Sequence, residues 1–231
     1  CFTFSALFFF GSNLGPLNLY DFGIIYDLFP GSVAFLNLFG LIFCVFLTFK
    51  GRYYPSTQDY GSSGNFMKDF LWGTELYPRV GGLDLKRFIN CRVSMTFWQL
   101  AGLSFCYRSY TLHGETLDYG LFFAALSQYL YLVKFFFWEM RYMRSIDIIV
   151  DRAVFEIQCG CLVWVPSVYT LHSRFLVQYP SGLSFPLAAF LFVTSMLGVV
   201  FNYLADRERD VFRATNGKCK VWGKDPTYIK A

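Results

Sequence analysis

Two long stretches of the chain contain no charged residue, and they constrain the fold more than any other feature. The first runs for 22 residues from Leu28 to Phe49, and the second for 31 residues from Phe175 to Ala205. A helix needs roughly 20 apolar residues to cross the core of a bilayer. These stretches also lack the alternation of a barrel strand. The sequence therefore predicts an all-α polytopic membrane protein, built as a multi-helix transmembrane bundle.

The amino-acid composition also indicates that the chain is surrounded by lipid. Residues of the apolar set make up 55% of the chain, and charged residues make up 16%. An ordinary globular domain has about 25% charged residues, so a soluble domain is excluded. We predict a single transmembrane domain over 1–231, truncated at both ends, with the tail of an earlier helix at 1–11. The five complete spans are predicted at 29–49, 93–110, 118–138, 154–173 and 184–205.

The basic residues divide unequally between the two faces of this predicted bundle. The segments 50–92, 139–152 and 206–231 hold 17 Lys and Arg residues, whereas the opposite connections hold only Arg108 and Arg174. The positive-inside rule makes the first three segments cytoplasmic. A basic membrane face also accounts for the net charge of +4, so no nucleic-acid partner is predicted.

Three polar clusters stand out against the apolar background. The first, GNFMKDFLWGTELYPR at 64–79, is either a functional loop or an interfacial segment with aromatic anchors. The second, WEMRYMRSIDIIVD at 138–151, follows an apolar helix. If that helix continued, Glu139 and Tyr142 would share one face. Acidic residues at the end of a span are functional candidates, although Arg144 and Asp147 could instead form an ion pair.

The third cluster lies in the tail after the last predicted span. Arg209 and Arg213 are four residues apart, so a helix would place their guanidiniums on adjacent turns. Such a pair suits a phosphate group, because each guanidinium can donate two hydrogen bonds. The alternative is a basic stretch attracted to anionic lipid. Asn216-Gly217 then predicts a turn, as do Gly, Ser and Pro residues at 55–64 and 81–82.

Other chemistries find no support in the sequence. It contains no Gly-x-Gly-x-x-Gly motif, no P-loop and no cysteine or histidine spacing typical of zinc. We therefore predict no metal. Neither His113 nor His172 has partners for a catalytic triad, which argues against a hydrolase. Segment 154–173 contains Gln158, Pro166 and His172, so it is a candidate wall of a pocket rather than a lipid-facing helix.

Four motifs together resemble the sterol reductase family of ergosterol biosynthesis, the C14/C24 reductase type. The family's glycine-to-Pro-Arg signature is similar to GNFMKDFLWGTELYPRVG, and DLKRFINCR with Trp98 continues it. Its Glu-x-x-Tyr run resembles Glu139 to Asp151, and its Trp-x-Pro segment resembles LVWVPSVYTLHSRFLVQYP. The tail FRATNGKCKVWGKDP is closest to the Δ7-reductase branch, that of 7-dehydrocholesterol reductase.

The resemblance implies a multi-pass enzyme of the endoplasmic reticulum membrane that uses NADPH to reduce a sterol double bond. The Δ7 bond is the leading candidate. A sterol and the lipid bilayer are the expected partners, and the oligomeric state stays open. The expected roles are proton donation by Tyr142 or Glu139, cofactor-phosphate binding by Arg209 and Arg213, and a substrate pocket at Trp164, Tyr169 and Asp147.

Alternatives follow from departures within the same resemblance. Reduction at Δ14 or C24(28) is the first alternative, and a non-catalytic sterol-binding or scaffold protein is the second. Tyr77 stands where the family has asparagine, and Cys161 stands where aspartate is common, which leaves altered chemistry open. We expect these 231 residues to be inactive alone, because the family's later signature with Arg-His-x-Asn-Tyr is absent from them.

Overall fold

The computed structural model describes residues 2–227, which are mostly helical. They divide into two compact units, one ending at Leu183 and one beginning at Ser184. We number the two short π-helical segments π1 and π2. The elements of the first unit are α1 (Phe2–Gly11), α2 (Ile24–Asp27), α3 (Phe29–Tyr53), α4 (Phe66–Trp72), β1 (Arg79–Val80), β2 (Leu83–Asp84), α5 (Leu85–Phe88), π1 (Ile89–Ser94), α6 (Met95–Leu112), α7 (Tyr119–Phe137), α8 (Glu139–Tyr142), α9 (Ile146–Ile149), π2 (Phe155–Trp164), α10 (Val165–Val168) and α11 (Leu171–Gln178).

Three helices within residues 2–227 are long and apolar enough to cross a membrane: α3, α7 and, in the second unit, α12 (Phe185–Ala214). They correspond to the predicted spans 29–49, 118–138 and 184–205. The prediction of a helical membrane protein is therefore confirmed. The number of five spans stays a prediction.

Helix α6 covers the predicted span 93–110 but differs from the other helices in its surroundings. It lies at the centre of the first unit, where Ala101 and Phe105 pack against Phe29, Leu121 and Val177. Its inward faces also bury polar side chains. A helix surrounded by protein needs less apolar surface than one surrounded by lipid, which explains its lower apolar content.

The predicted span 154–173 is not one helix. It is divided into π2, α10 and α11, and the last of these runs on to Gln178. Pro166 lies in the first turn of α10, a position that tolerates the loss of a backbone N–H donor. The hydroxyl of Thr170 donates to the carbonyl of Pro166 at 2.6 Å between α10 and α11. Cys44 and Leu47 of α3 pack against Val154, directly before π2, and against Phe155 and Cys159 of π2.

Two of the predicted turns are present. β1 and β2 form a hairpin with Arg79 opposite Asp84, and its turn residues Gly81 and Gly82 have φ angles of 56° and 83°. Positive φ at both central residues matches the twist of a two-residue hairpin. At the end of α12, Asn216 and Gly217 also have positive φ. The Gly217 amide donates to the carbonyl of Phe212 at 2.9 Å, which satisfies one terminal carbonyl of the helix.

Candidate functional site

Two short elements bring the second polar cluster into contact with π1. The amide nitrogen of Asn90 donates to the hydroxyl of Tyr142 at 2.7 Å. Two residues later, Arg92 forms an ion pair with Glu139 at 2.8 Å. Helix α7 ends at Phe137, and Glu139 and Tyr142 lie on the separate helix α8. The chain therefore does not continue as one helix through 138–151, yet Glu139 and Tyr142 still meet the same partner segment.

The Tyr142 hydroxyl lies in a partly buried position beside the ring of Phe135, with 5.0 Å between the ring centroids. Burial raises the pKa of Tyr142, the hydrogen bond from Asn90 opposes that rise, and the nearby charge of Asp147 adds to it. The side chain is therefore a neutral phenol near pH 7. Its oxygen accepts one hydrogen bond, and its proton remains available to a second group.

Glu139 is held by its ion pair with Arg92. The hydrogen bond to Glu139 is the main cause that raises the pKa of Arg92. The guanidinium of Arg92 therefore occupies the Glu139 carboxyl group. Proton donation by Tyr142 or Glu139 stays a prediction.

Lys86 is a buried residue of this region that the sequence analysis did not single out. Its side chain is fully buried, and its ammonium group donates to the carbonyls of Ile148, at 2.9 Å, and Asp151. Burial lowers its pKa to about 8, against the charges of Asp151, Asp84 and Asp147. Lys86 thus ties α5 to the segment that follows Tyr142. No spacing rule marks a lysine for this role.

Tyr77, a departure from the family pattern, lies beside two cations. The ring centroid is 5.5 Å from the Lys86 ammonium nitrogen and 5.0 Å from the guanidinium carbon of Arg87. An aromatic face within about 6 Å attracts a cation. The other departure, Cys161, is buried with Ile89 and Leu162. Both residues therefore have packing roles here.

The first polar cluster contains two buried carboxylates that fold the loop after α3. Glu75 forms an ion pair with Lys50 at 2.8 Å and accepts from the amides of Ser56, at 2.6 Å, and Thr57, at 3.1 Å. Asp69 accepts from the amide of Ser63 at 2.7 Å. These contacts make Glu75 and Asp69 structural residues.

Asp69 shows why a buried carboxylate is tolerated in this loop. Burial disfavours its charge, but hydrogen bonds from Ser62 and Ser63 outweigh burial and hold the pKa of the carboxyl below its usual value. On the same short helix, Trp72 is exposed. The segment 64–79 therefore combines inward carboxylates with an outward aromatic residue, as an interfacial loop would.

A large apolar cavity lies between α3, α4 and π2. Its volume is about 800 Å³, and its walls include Leu41, Trp72, Phe155, Val163 and Trp164. Of the residues predicted for a substrate pocket, Trp164 lines this cavity. Tyr169 instead packs against Trp98, with 5.0 Å between ring centroids. Asp147 is exposed on α9, near Tyr142 and Lys86.

Gln158 is a buried polar residue of π2. Its side chain is fully buried, and neither polar atom of its amide has a hydrogen-bond partner among residues 2–227. A buried amide without partners costs free energy, and π-helical turns are frequent at functional sites. The sequence analysis noted Gln158 as a polar residue of a pocket wall. The sequence does not predict that its amide lacks hydrogen-bond partners.

Arg209 and Arg213 both lie on α12, four residues apart and exposed, as the sequence predicts. Arg209 forms an ion pair with Asp206 one turn earlier. A phosphate would have to compete with Asp206 for one guanidinium. Among residues 2–227, no group of three His, Cys, Asp or Glu residues is arranged to hold a metal ion.

Comparison with known proteins places the chain in a family. The model of the "Ergosterol biosynthesis ERG4/ERG24 family" matches residues 3–231. The 7-dehydrocholesterol reductase of Arabidopsis thaliana is 42% identical over 231 residues, which are 99% of this chain and 51% of that protein. That of Xenopus laevis is 33% identical over 84% of this chain and 41% of its own length.

A third relative is a reductase of the Δ14 bond rather than of the Δ7 bond. The Delta(14)-sterol reductase of Methylotuvimicrobium alcaliphilum is 31% identical over 99% of this chain and 52% of its own length. The chain thus spans about half the length of the curated relatives it matches. The match over residues 3–231 confirms the resemblance found in the motifs. The chain therefore belongs to the ergosterol biosynthesis ERG4/ERG24 family, the sterol reductases.

Proposed function

We propose that the protein reduces the Δ7 double bond of a sterol with NADPH, in the membrane of the endoplasmic reticulum. The observation that carries this proposal is the 42% identity to a 7-dehydrocholesterol reductase over 99% of the chain. The tail after Arg213, which resembles the Δ7 branch, supports the same position of the double bond.

The apolar cavity supports a sterol as the substrate. Ligand pockets typically measure about 300–1,000 Å³ and are lined mainly by apolar and aromatic side chains. The cavity of about 800 Å³ beside Trp164 has this size and character. Asn37 and Glu156 are among its few polar lining residues, and they could receive a sterol hydroxyl.

Tyr142 is the proposed proton donor. An isolated alkene accepts hydride poorly, so protonation of one carbon must accompany hydride delivery to the other. A donor must be protonated at neutral pH and must form a stabilised anion. Burial keeps Tyr142 protonated, and the hydrogen bond from Asn90 stabilises the developing phenolate. Arg92 and Glu139 then orient α8 beside π1.

The residues of α12 fit the phosphates of NADPH. Arg209 and Arg213 present exposed guanidiniums on one helix, and guanidinium forks match phosphate oxygens. NADPH supplies a hydride when bound. Arg209 would exchange Asp206 for a phosphate oxygen, so Asp206 tunes the affinity of this pair.

Reduction of the Δ14 bond is a second candidate. It is favoured by the 31% identity to a Delta(14)-sterol reductase over 99% of the chain. Both candidates share the family and differ in which ring carbon faces the proton donor. A non-catalytic sterol-binding protein is the third candidate, and only turnover distinguishes it from the first two.

The test is product analysis in microsomes, prepared from cells that express the complete reading frame encoding this chain. A Δ7-sterol and a Δ14-sterol are each incubated with NADPH. We expect loss of the Δ7 bond, with Tyr142→Phe slowing turnover about 10²–10⁴-fold, the contribution of a general acid. Tyr60→Phe is the matched control, because Tyr60 is exposed in the loop after α3.

Each outcome has a separate meaning. Reduction of the Δ14-sterol alone would replace the first candidate with the second. No reduction of either sterol would favour the non-catalytic candidate. Full activity of Tyr142→Phe would refute Tyr142 as the donor while leaving the overall reaction intact.

A further inference from the structure

A second cavity lies at the carboxyl end of α3, apart from the one beside Trp164. Its volume is about 540 Å³, and it is lined by an apolar part and a polar part. The apolar part is formed by Phe46 and Phe49 of α3, and the polar part by Lys50, Ser56 and Arg79. One end therefore suits hydrocarbon and the other suits a polar group.

Lys50 does not contribute a free charge to this cavity. Its ammonium group is paired with the buried carboxylate of Glu75 at 2.8 Å and also donates to the hydroxyl of Ser56. Glu75 is saturated by the further amides of Ser56 and Thr57. The polar part is therefore rigid and, apart from Arg79, electrically neutral.

Arg79 is the uncompensated cation of the cavity. Its backbone is fixed from both sides by Ser56, whose hydroxyl accepts from the Arg79 amide and donates to the Arg79 carbonyl, both at 3.0 Å. Within residues 2–227, its guanidinium has no hydrogen bond or ion pair. Asp84, opposite it in the hairpin, is already paired with Arg87 at 3.2 Å. Arg79 therefore offers a ligand an exposed guanidinium on a fixed stretch of backbone.

The apolar part continues along a membrane helix. Phe46 and Phe49 are about half exposed on α3, which is one of the three helices able to span a bilayer. Tyr53 stacks on Phe49 with 6.2 Å between ring centroids, and Tyr54 is largely exposed at the rim. Aromatic residues collect at the level of lipid headgroups. The cavity thus has the layout of a lipid–water boundary.

We propose that this cavity binds one anionic phospholipid from the surrounding leaflet. The phosphate group would accept hydrogen bonds from the Arg79 guanidinium, and one acyl chain would lie along Phe46 and Phe49. Guanidinium pairs strongly with phosphate, because the donors of the fork match its oxygens. A sterol is a less suitable ligand, because it has no anionic group that could pair with the Arg79 guanidinium. The lipid would brace the loop containing Glu75 against α3, apart from the proposed reaction site.

The test uses the full chain purified in a neutral detergent. Thermal unfolding is followed while phosphatidylglycerol, phosphatidylcholine with the same acyl chains, or inorganic phosphate is added. A ligand that binds only the folded state raises Tm with its concentration. We expect phosphatidylglycerol to raise Tm at lower concentration than phosphatidylcholine. Inorganic phosphate should have no effect.

Variants locate the binding to this cavity. Arg79→Gln should weaken the apparent affinity for phosphatidylglycerol about tenfold or more, the scale of one charged hydrogen bond. Arg79→Lys should keep part of the affinity. Lys68→Gln is the matched control, because it removes one exposed positive charge from the same loop but outside the cavity. It should bind as the unsubstituted chain does.

Three results would overturn the proposal. Equal stabilisation by phosphatidylcholine would remove the role of charge, and stabilisation by inorganic phosphate alone would identify a free-anion site. Undiminished binding by Arg79→Gln would place the lipid elsewhere. None of these measurements depends on sterol turnover, so their failure would not touch the proposed reaction.

Discussion

The two ends of α6 hold their charged residues in different ways. At the end where α6 begins, Lys86, Glu75 and Asp69 have exposed fractions of 0%, 1% and 3%. At the end where α6 finishes, the side chains of Arg108 and Asp27 pair while 21% and 43% exposed. We call these regions the buried end and the open end.

The difference shows where the burial of charged groups costs free energy of folding. Removing a charge from water costs several kcal/mol unless partners replace the water. At the buried end, the partners include main-chain groups, such as the carbonyls of Ile148 and Asp151 that accept hydrogen bonds from Lys86. These contacts fix the segment that follows Tyr142. The Arg108–Asp27 pair at the open end also joins distant segments, but its side chains remain partly exposed, so less water has to be replaced.

The largest expected effect is at the buried end, with Glu75→Ala. The substitution leaves Lys50 buried without its partner and removes the acceptor of the Ser56 and Thr57 amides. Breaking a buried pair from one side costs about 3–5 kcal/mol. We expect that loss in the free energy of unfolding, measured by denaturant titration in detergent.

A double variant is the control for this loss. Glu75→Leu combined with Lys50→Met removes both charges, so it should recover part of the stability lost in the single variant. A double variant as unstable as Glu75→Ala would contradict the ion pair as the cause. The backbone hydrogen bonds to Ser56 and Thr57 would then be responsible.

Lys86 gives the buried end a dependence on pH. Its pKa is about 8 in the folded chain and 10.5 in its unperturbed state. Between these values the unfolded chain holds a proton that the folded chain has lost. The free energy of unfolding therefore rises with pH in this window, by up to about 3 kcal/mol. Below pH 8 both states are protonated, and the slope disappears.

The measurement compares the chain with Lys86→Met across pH 7 to 10.5. The variant should lack the component of the rise that Lys86 contributes, whereas other titrating groups contribute equally to both proteins. Parallel curves would show that the Lys86 ammonium group is not the cause. Asp84, Asp147 and Asp151 are unchanged in this comparison, so their charges act on both.

The fold contains features that the sequence could predict and features that it could not. Uncharged runs predict α3, α7 and α12 because a bilayer imposes a length on apolar segments. Gly81-Gly82 predicts a turn because glycine adopts positive φ at little cost. These are local rules, and the structure confirms them.

The contacts of the buried end depend on packing between distant segments. Asn90 and Tyr142 are 52 residues apart, and Lys86 and Ile148 are 62 apart. Residue spacing carries no information about such pairs. The same limit applies to π1 and π2, because π and α turns use the same residue types. The motif resemblance included Lys86 and Asn90 within DLKRFINCR, but it implied a role only for Glu139 and Tyr142.

A smaller effect is expected for Asp118 at the open end. Its carboxylate caps α7 by accepting from the Gly120 amide at 3.1 Å, and it accepts from the Ser181 amide at 2.9 Å. Losing such a cap costs about 1–2 kcal/mol, so Asp118→Ala should reduce the free energy of unfolding by that amount. Asn65→Ala removes the comparable cap of α4 at the buried end. A loss above 3 kcal/mol for Asp118→Ala would contradict the contrast between the ends.

The smallest effect is expected for Asp27→Asn, which breaks the ion pair with Arg108. Exposed pairs contribute about 0–1 kcal/mol, and Asp21 remains 3.8 Å from the Arg108 guanidinium as a substitute partner. We expect a loss of about 0.5 kcal/mol at low salt, which disappears in 1 M salt because exposed charges are screened. Unfolding measured at the two salt concentrations checks this. The loss in Glu75→Ala should persist in 1 M salt, because the side chains of that pair are only 9% and 1% exposed. If both losses responded to salt alike, the buried end would be no more shielded than the open one.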